Sequence, residues 1–336
     1  MELLWPKVRG LLPLDLEEIG YRTKAIRRRR GVRDAEGLLR LCLMYALPKS
    51  TLESVARLSR EMGLADLKAP ALFLRFRDAE DFLAEVLSEL LRGVGVKSRV
   101  RIVDATSVCG PNPKYTDQRA HVCYDPNLEL PVSVEITDRF GGEHSERHPL
   151  GEGTLFLGDR AYGYEREVVP LLEAGGRFLV RVEPCSNRFL NEQGRRLSPG
   201  ELVAELCHGL EPRERIVYLS ERSEPLRLVG SLTPEGKPAY LLTNIPPSEL
   251  PAEQVRELYR TRWQIELFFK RMKTILDLDE LRTREGPTAR SWILAKFILA
   301  VLLVRLEQEV FSPRRAYLQR LEEVSGRTME HLAIVA

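Results

Sequence analysis

Residues 257–276 read ELYRTRWQIELFFKRMKTIL, and their apolar residues recur with the spacing of one amphipathic helix. We predict that this helix begins at Pro251 and ends near Leu276. At about 100° per residue, one polar stripe lies beside its apolar face. The stripe consists of Tyr259, Arg262, Glu266, Lys270 and Lys273.

This stripe has two interpretations. Arg262, Glu266 and Lys270 are four residues apart, which suits ordinary ion pairs on a helix surface. The alternative is a carboxylate that completes a metal site, flanked by cations that bind a row of phosphates. Only the second interpretation accounts for Tyr259 and for the position of the stripe beside the apolar face.

Two aspartates follow short apolar stretches in the middle of the chain. The alternating stretch Arg99–Val103 precedes Asp104, and the apolar run Thr154–Gly158 precedes Asp159. Carboxylates at neighbouring strand ends repel each other unless a cation lies between them, and Mg²⁺ prefers carboxylate oxygen. An aspartate after a strand is also a common turn or helix-cap residue, and this interpretation is favoured for the pair taken alone.

The hydrophobic periodicity divides the rest of the chain. Leucine spacing predicts helices over 35–47, 52–62 and 82–91, so residues 1–95 are predicted to be helical. Alternation at 99–103, 120–124 and 132–136 predicts an antiparallel meander, followed by a strand before Asp159, a helix over 164–174 and a strand over 178–182. Short alternating runs between 184 and 250 predict a mostly β insertion, and two further helices are predicted after residue 276. The fold class is therefore α/β.

The helical region contains two candidate features for nucleic-acid binding. A helix that ends at Gly63 and another over Ala71–Arg77 could form a helix-turn-helix, although ordinary helix packing gives the same pattern. A basic run consists of Arg27, Arg28, Arg29 and Arg30. It suits either a solvated surface or a patch that contacts phosphates.

The composition is that of an ordinary globular protein. The chain has 336 residues, 43% of them hydrophobic, and 51 basic against 49 acidic residues, which excludes global disorder and a uniformly basic protein. The longest apolar stretch, Trp292–Val304, contains Lys296 and is too short for a membrane span, so a buried helix is predicted. No signal peptide is predicted, which favours a cytoplasmic location. Five scattered cysteines favour no disulfide framework and no zinc ribbon.

A series of motifs in order, over roughly residues 98–276, resembles those of bacterial insertion-sequence transposases, of the insertion-sequence-four type in the DDE superfamily. Tyr259-x2-Arg262-x3-Glu266-x6-Lys273 resembles the YREK signature of that group. The other similar segments are Ile102–Thr106 around the first aspartate, Arg119–Asp125 and Glu135–Asp138 between the aspartates, Gly158–Gly163 around the second, and Leu241–Thr243.

The resemblance implies a ribonuclease H-like mixed sheet flanked by helices. It further implies a helical DNA-binding region over 1–95, a catalytic core over 96–183 and 251–336, and the β insertion at 184–250. Asp104, Asp159 and Glu266 would bind two divalent metal ions, Mg²⁺ with Mn²⁺ as a substitute. Phosphates would be contacted by Tyr259, Arg262, Lys273, Lys270 and Arg160, and the Arg27–Arg30 run would recognise the element's end.

The implied activity is cleavage at the inverted-repeat ends of an insertion sequence and transfer of the 3′ ends to target DNA. The partners would be double-stranded DNA and a second copy of the chain, with association with the nucleoid and no membrane. The alternatives are a ribonuclease H-like nuclease or resolvase without strand transfer, and a domesticated DNA-binding protein without catalysis.

Several residues near these motifs carry further predictions. Ala161 stands where the family commonly has glycine, and Tyr240 lies where several relatives carry a tryptophan that stacks on a flipped base, so it is either a stacking or a core residue. Trp263 is predicted to wedge the helix against the core. A zinc site at His144-x3-His148, with Glu143 and Glu146 nearby, is not predicted, since the segment reads as a loop between glycines and a proline. Cys207-His208 lacks partners at metal-site spacing.

Overall fold

A computed structural model describes residues 4–27, 31–92, 99–110, 117–148, 153–219 and 224–324. The helices of the N-terminal region are α1 (Trp5–Leu11), α2 (Leu16–Arg22), α3 (Ala35–Ala46), α4 (Leu52–Glu61), α5 (Ala69–Arg77) and α6 (Glu80–Arg92). Two of them have N-caps visible in the sequence: Asp34 accepts from the amide of Gly37, and Thr51 forms a capping box with Ser54. The helical character predicted for this region is therefore confirmed.

The strands of the described residues form one sheet. They are β1 (Val100–Val108), β2 (Gln118–Asp125), β3 (Leu130–Asp138), β4 (Leu155–Gly158), β5 (Arg177–Val182), β6 (Phe189–Leu190), β7 (Arg213–Leu219), β8 (Leu226–Leu232) and β9 (Pro238–Thr243). Their spatial order is β3-β2-β1-β4-β5-β9-β8-β7-β6. The remaining helices are α7 (Glu165–Glu173), α8 (Pro199–Leu206), α9 (Ala252–Arg260), α10 (Trp263–Leu276) and α11 (Gly286–Val324).

The sheet is mixed, as the α/β prediction required. Strands β1, β2 and β3 form the predicted antiparallel meander, while β4 runs parallel to β1 and β5 runs parallel to β4. The segment predicted as a β insertion contributes β6 to β9, and β9 pairs with β5 in antiparallel orientation. These strands therefore extend the core sheet, because β5 offers a free edge next to them.

The two faces of the sheet have different coverings. Side chains of α7 and α8 pack on one face, and the N-terminal helices share a continuous core with α10 and α11 on the other. Helix α11 packs against α3 and α6, with Trp292 and Lys296 buried, which confirms the buried helix predicted for this stretch. None of the described helices is both long and apolar enough to cross a membrane.

Three predictions about the helices were wrong or weakened. The C-terminal region contains one helix, α11, over the described residues, not two, and this helix continues through Pro313. The predicted helix 251–276 is divided into α9 and α10. Helices α4 and α5 are separated by residues 62–68, which is longer than the three to four residues of a helix-turn-helix turn, so ordinary helix packing is the better description.

Candidate active site

Parallel pairing places Asp104 and Asp159 side by side. Ile102 of β1 pairs with Leu157 of β4, so the residues two positions further along each chain lie level with each other. The prediction that Asp104 follows the end of a strand was wrong: β1 continues through it, and Asp104 pairs with Val122 of β2. The reason is that β1 pairs with both β2 and β4: β4 ends just before Asp159, whereas the pairing with β2 continues beyond Asp104.

Each of these aspartates also has a local backbone partner. The Asp104 carboxylate accepts a hydrogen bond from the Ala105 amide at 2.8 Å. Asp159 accepts from the Ala161 amide at 2.8 Å and thereby caps a short 3₁₀ turn over Arg160–Tyr162. The cap interpretation of Asp159 is therefore correct, and it fixes the carboxylate beside Asp104 rather than excluding a role in the site. The amide of Ala161 acts here through its backbone, so the departure from glycine at this position leaves the cap intact.

A third carboxylate, Glu143, completes an acidic cluster with them. Each of Asp104, Glu143 and Asp159 offers one oxygen, and these oxygens all lie within 4.8 Å of one another. Sequence reasoning missed this role, because Glu143 was considered only as a neighbour of His144 and His148. A loop residue has no periodicity, and the pair of glycines before Glu143 was the one local signal that the chain turns sharply there.

The loop that carries Glu143 is held on both sides. Its neighbour Ser145 donates from its amide to Glu167 at 2.9 Å and from its hydroxyl to the Glu167 carbonyl at 2.8 Å. Arg147 donates to the carbonyl of Gly142 at 2.9 Å. These contacts restrict the backbone on either side of Glu143, so the position of its carboxylate is set by the fold.

The two histidines of this loop serve other contacts. His144 lies 3.0 Å from a Glu167 oxygen, and His148 lies 3.3 Å from the Tyr162 hydroxyl. Burial lowers the pKa of His148 to about 4. The two histidines therefore have different partners and do not point to one common site.

The acidic cluster carries excess negative charge. Burial first and the charge of Asp159 second raise the pKa of Asp104 to about 7, against an ordinary value of 3.8. Burial and Asp159 also raise the pKa of Glu143. Oxygen ligands of this kind suit hard divalent cations such as Mg²⁺, Mn²⁺ or Ca²⁺, and a cation would remove the repulsion that raises these pKa values.

Between α9 and α10 the backbone forms a 3₁₀-type turn, which divides the single helix predicted over 251–276. The amides of Thr261 and Arg262 donate to the carbonyls three residues before them, and the Thr261 hydroxyl donates to the Leu258 carbonyl at 2.7 Å. A threonine that binds a backbone carbonyl competes with the regular helical pattern. In a turn with three residues per repeat, side chains three positions apart are eclipsed, so Tyr259 stays in line with Arg262, whose guanidinium lies over its ring.

Arg262 connects Glu266 to the acidic cluster. Its guanidinium donates to the Glu266 carboxylate and lies 3.6 Å from an oxygen of Asp104, with only 16% of its side chain exposed. Its central carbon also lies 5.8 Å from the ring of Tyr259, whose pKa is raised to about 12 by burial. Glu266 is therefore one arginine away from Asp104, but it is not among the three clustered carboxylates.

The other predicted DNA-binding cations differ in their surroundings. Lys270 is exposed and Lys273 half-buried, and neither forms an ion pair with any residue in the described ranges. Arg160 is half-exposed and pairs with Glu183 at 2.9 Å. Arg27 is exposed, whereas Arg28, Arg29 and Arg30 lie outside the described residues.

The exposure of Trp263 and Tyr240 decides the roles predicted for these two aromatic residues. Trp263 is 59% exposed, so the prediction that it wedges the helix against the core was wrong. It begins α10, and Ile265 and Phe268 of the next turn take the buried positions instead. Tyr240 is 3% exposed and packs in the core beneath α8, on the sheet face opposite to Leu241, which makes it a core residue rather than a stacking residue.

Comparison with known proteins gives one consistent result. The family model "Transposase DDE domain" matches residues 96–302. The putative transposase InsL of insertion sequence element IS186A from Escherichia coli K12 is 30% identical, with 90% of this chain and 94% of that protein covered. The transposase of element IS421 from Escherichia coli has the same identity and coverage. A cryo-EM structure of the piggyBac transposase synaptic complex with hairpin DNA has a TM-score of 0.52 at 13% identity, over 91% of this chain and 73% of that one, which shows a shared fold.

Proposed function

Because this chain belongs to the DDE transposase family, we propose that it cuts DNA at the inverted-repeat ends of an insertion sequence and joins the 3′ ends to target DNA. The observation that carries this proposal is the meeting of Asp104 and Asp159 at one level of the sheet, with Glu266 joined to them through Arg262. Two acidic residues from neighbouring parallel strands and one from a packed helix suit phosphoryl transfer assisted by metal ions.

Asp104, Asp159 and Glu266 are proposed to hold two divalent ions, Mg²⁺ or Mn²⁺, with Glu143 as an additional ligand. The donor set fits such ions, because it offers only carboxylate oxygens and too much negative charge for its surroundings. Bound ions would supply activation of the attacking oxygen and neutralisation of the leaving oxygen. The chain itself supplies the position of the ligands, through the Asp159 cap and the anchored loop around Glu143.

The cations beside the carboxylates are proposed to bind DNA phosphates. Lys270 and Lys273 have no acidic partner within the described part of the chain, so binding a phosphate breaks no ion pair. Arg262 already serves Glu266 and Asp104, so it would exchange a carboxylate for a phosphate when DNA binds. Tyr259 and Arg160 complete the proposed surface, the latter after releasing Glu183.

The larger assembly is proposed from the family resemblance. A homodimer would bridge two transposon ends, and residues 1–95 with the Arg27–Arg30 run would recognise each end. The helices of this region share their core with α11, so this proposal places end recognition on helices that pack against the catalytic core.

The direct test is a cleavage reaction on a duplex that carries the element's end, with Mg²⁺ and a target plasmid. We expect nicked ends and joined products from the wild type, and about 10²-fold slower cleavage from Glu266→Gln, the loss typical of removing one group that stabilises the transition state. Cleavage without joined products would favour the nuclease alternative. Binding without cleavage would favour a non-catalytic DNA-binding protein, and wild-type cleavage rates in Glu266→Gln would refute the assignment of this carboxylate.

The place of Glu143 is tested by metal affinity rather than by activity. Calorimetric titration with Mn²⁺ should show at least about tenfold weaker binding to Glu143→Gln than to the wild type. Glu146→Gln is the matched control, because Glu146 lies in the same loop but is exposed and outside the acidic cluster. Equal Mn²⁺ affinity of the two variants would remove Glu143 from the site.

A further inference from the structure

A cavity of about 170 Å³ opens between α9 and the sheet, next to the carboxylates. Strands β5, β8 and β9 form its floor, to which Arg181 and Leu241 contribute. Helix α9 supplies the wall, with Arg256, Tyr259 and Arg260. None of the motifs that identify the family includes these three arginines.

The lining of this cavity is cationic. It contains three arginines, and none of the described residues that line it is acidic. Arg260 pairs with Glu257 at 2.5 Å, and Arg256 donates to the Leu210 carbonyl at 2.8 Å. Arg256 and Arg260 therefore each have a protein partner, and neither partner lines the cavity.

Arg181 is different from its two neighbours. Its side chain is half-buried, yet it forms neither a hydrogen bond nor an ion pair with any residue that the structure describes. A half-buried guanidinium is only partly solvated, and an anion with several oxygens would satisfy its fork of donors. The cavity thus contains an arginine without an ionic partner among the residues that the structure describes, and its charge is available to an anion from solution.

Two contacts place the cavity along the path of a strand bound at the carboxylates. Gly163, which ends the motif around Asp159, lies directly against the backbone carbonyl of Arg181, with no room for a Cβ atom. Tyr259 lines the cavity and also packs beneath Arg262, which reaches Asp104. The cavity therefore lies directly beside the carboxylate site, on the side of the sheet that continues from β4 to β5.

We propose that Arg181, with Arg256 and Arg260 at the rim, binds a backbone phosphate of the DNA strand that runs past the carboxylates. This inference rests on the proposed function, since it takes its ligand from DNA bound at the neighbouring site. The apolar floor at Leu241 suits the deoxyribose attached to that phosphate. A phosphate contact fixes the register of the strand and carries no sequence information.

The test uses the salt dependence of DNA binding by the full chain. Fluorescence anisotropy in EDTA measures binding of a labelled duplex carrying the element's end, and of a random duplex, between about 50 and 200 mM salt. Each phosphate that the protein neutralises contributes about −0.9 to the slope of log K against log salt concentration. Arg181→Gln should lower the magnitude of the slope by about this amount and weaken binding to both duplexes equally.

Two variants control this measurement. Arg181→Lys keeps the charge and should keep the wild-type slope. Arg166→Gln removes an arginine from α7, on the opposite face of the sheet, and should leave the slope unchanged. Melting temperatures of all variants check that the fold is retained.

The outcomes separate this inference from the proposed function. An unchanged slope in folded Arg181→Gln, or a loss confined to the end duplex, overturns the phosphate contact. A wild-type protein that binds neither duplex overturns the proposed function itself, whereas normal wild-type cleavage together with an unchanged slope overturns only the role of Arg181.

Discussion

Replacing Asp104 with asparagine should stabilise the metal-free protein. Asparagine has nearly the shape of a protonated aspartate and carries no charge, so it removes the repulsion with Asp159. The pKa of Asp104 lies at about 7 in the folded chain, against 3.8 ordinarily, a difference of about 3 units. At about 1.36 kcal/mol per unit, the ionised carboxylate costs the fold up to about 4 kcal/mol above neutral pH.

The pH dependence has a definite sign. Between pH 3.8 and about 7 the folded chain holds a proton on Asp104 that the unfolded chain has lost, so stability falls as pH rises through this window. The penalty is complete above pH 7 and vanishes below pH 3.8. The advantage of Asp104→Asn over the wild type should therefore be largest near pH 8 and smaller near about pH 5.5.

Thermal unfolding in EDTA at these two pH values measures the effect. Asp125→Asn is the matched control, because Asp125 is fully buried but lies 3.0 Å from Arg101, and breaking such a pair should destabilise the chain by about 3 kcal/mol. Adding Mn²⁺ should raise the melting temperature of the wild type and not that of Asp104→Asn. If Asp104→Asn melts at or below the wild-type temperature near pH 8, or gains equally at both pH values, the reasoning about uncompensated charge is refuted.

Three further predictions concern the framework of the site. Lys296→Met should raise the melting temperature near about pH 6 and raise it less near about pH 9. Burial lowers the pKa of Lys296 to about 7, so the charged form of the lysine is penalised in full below that value. A melting series over pH checks this, and a difference between variant and wild type that stays constant with pH would contradict it. Arg282→Ala should cost about 3 kcal/mol in urea unfolding, because Arg282 donates to the carbonyl of Tyr45 in the last turn of α3 and to those of Leu47 and Ser50 just after it. No change in the free energy of unfolding would show that water replaces the arginine. Gly163→Ala should lower both melting temperature and cleavage rate, since its Cβ meets the Arg181 carbonyl, and a normal melting temperature would exclude that clash.

Much of the sheet could be predicted because its pattern is local. Alternation of apolar and polar residues indicated β1, β2 and β3, and the glycines after residue 174 marked the end of α7. Asp104 and Asp159 could be paired in advance only through the strands that carry them. The pattern does not show that β1 also pairs with β2, and for this reason it did not predict that β1 continues through Asp104.

The errors fall where a contact between distant residues decides the outcome. Glu143 reaches the acidic cluster because Glu167, on a helix later in the chain, anchors its loop. Trp263 is a different case: at about 100° per residue it lies about 160° around the helix from the buried Ile265, so the periodicity itself already placed it on the exposed face. Only the contact with Glu167 lies beyond what a local pattern can indicate.

The near balance of 51 basic and 49 acidic residues conceals a separation of charge at the site. Several arginines elsewhere in the described chain are paired with carboxylates, even when buried, as Arg101 is with Asp125. Here Asp159 forms no ion pair with any described residue, and neither do Arg181, Lys270 and Lys273. The unpaired carboxylate of Asp159 suits a cation and the unpaired cations suit phosphates, and a DNA strand bound with divalent ions, as proposed above, would provide both at once.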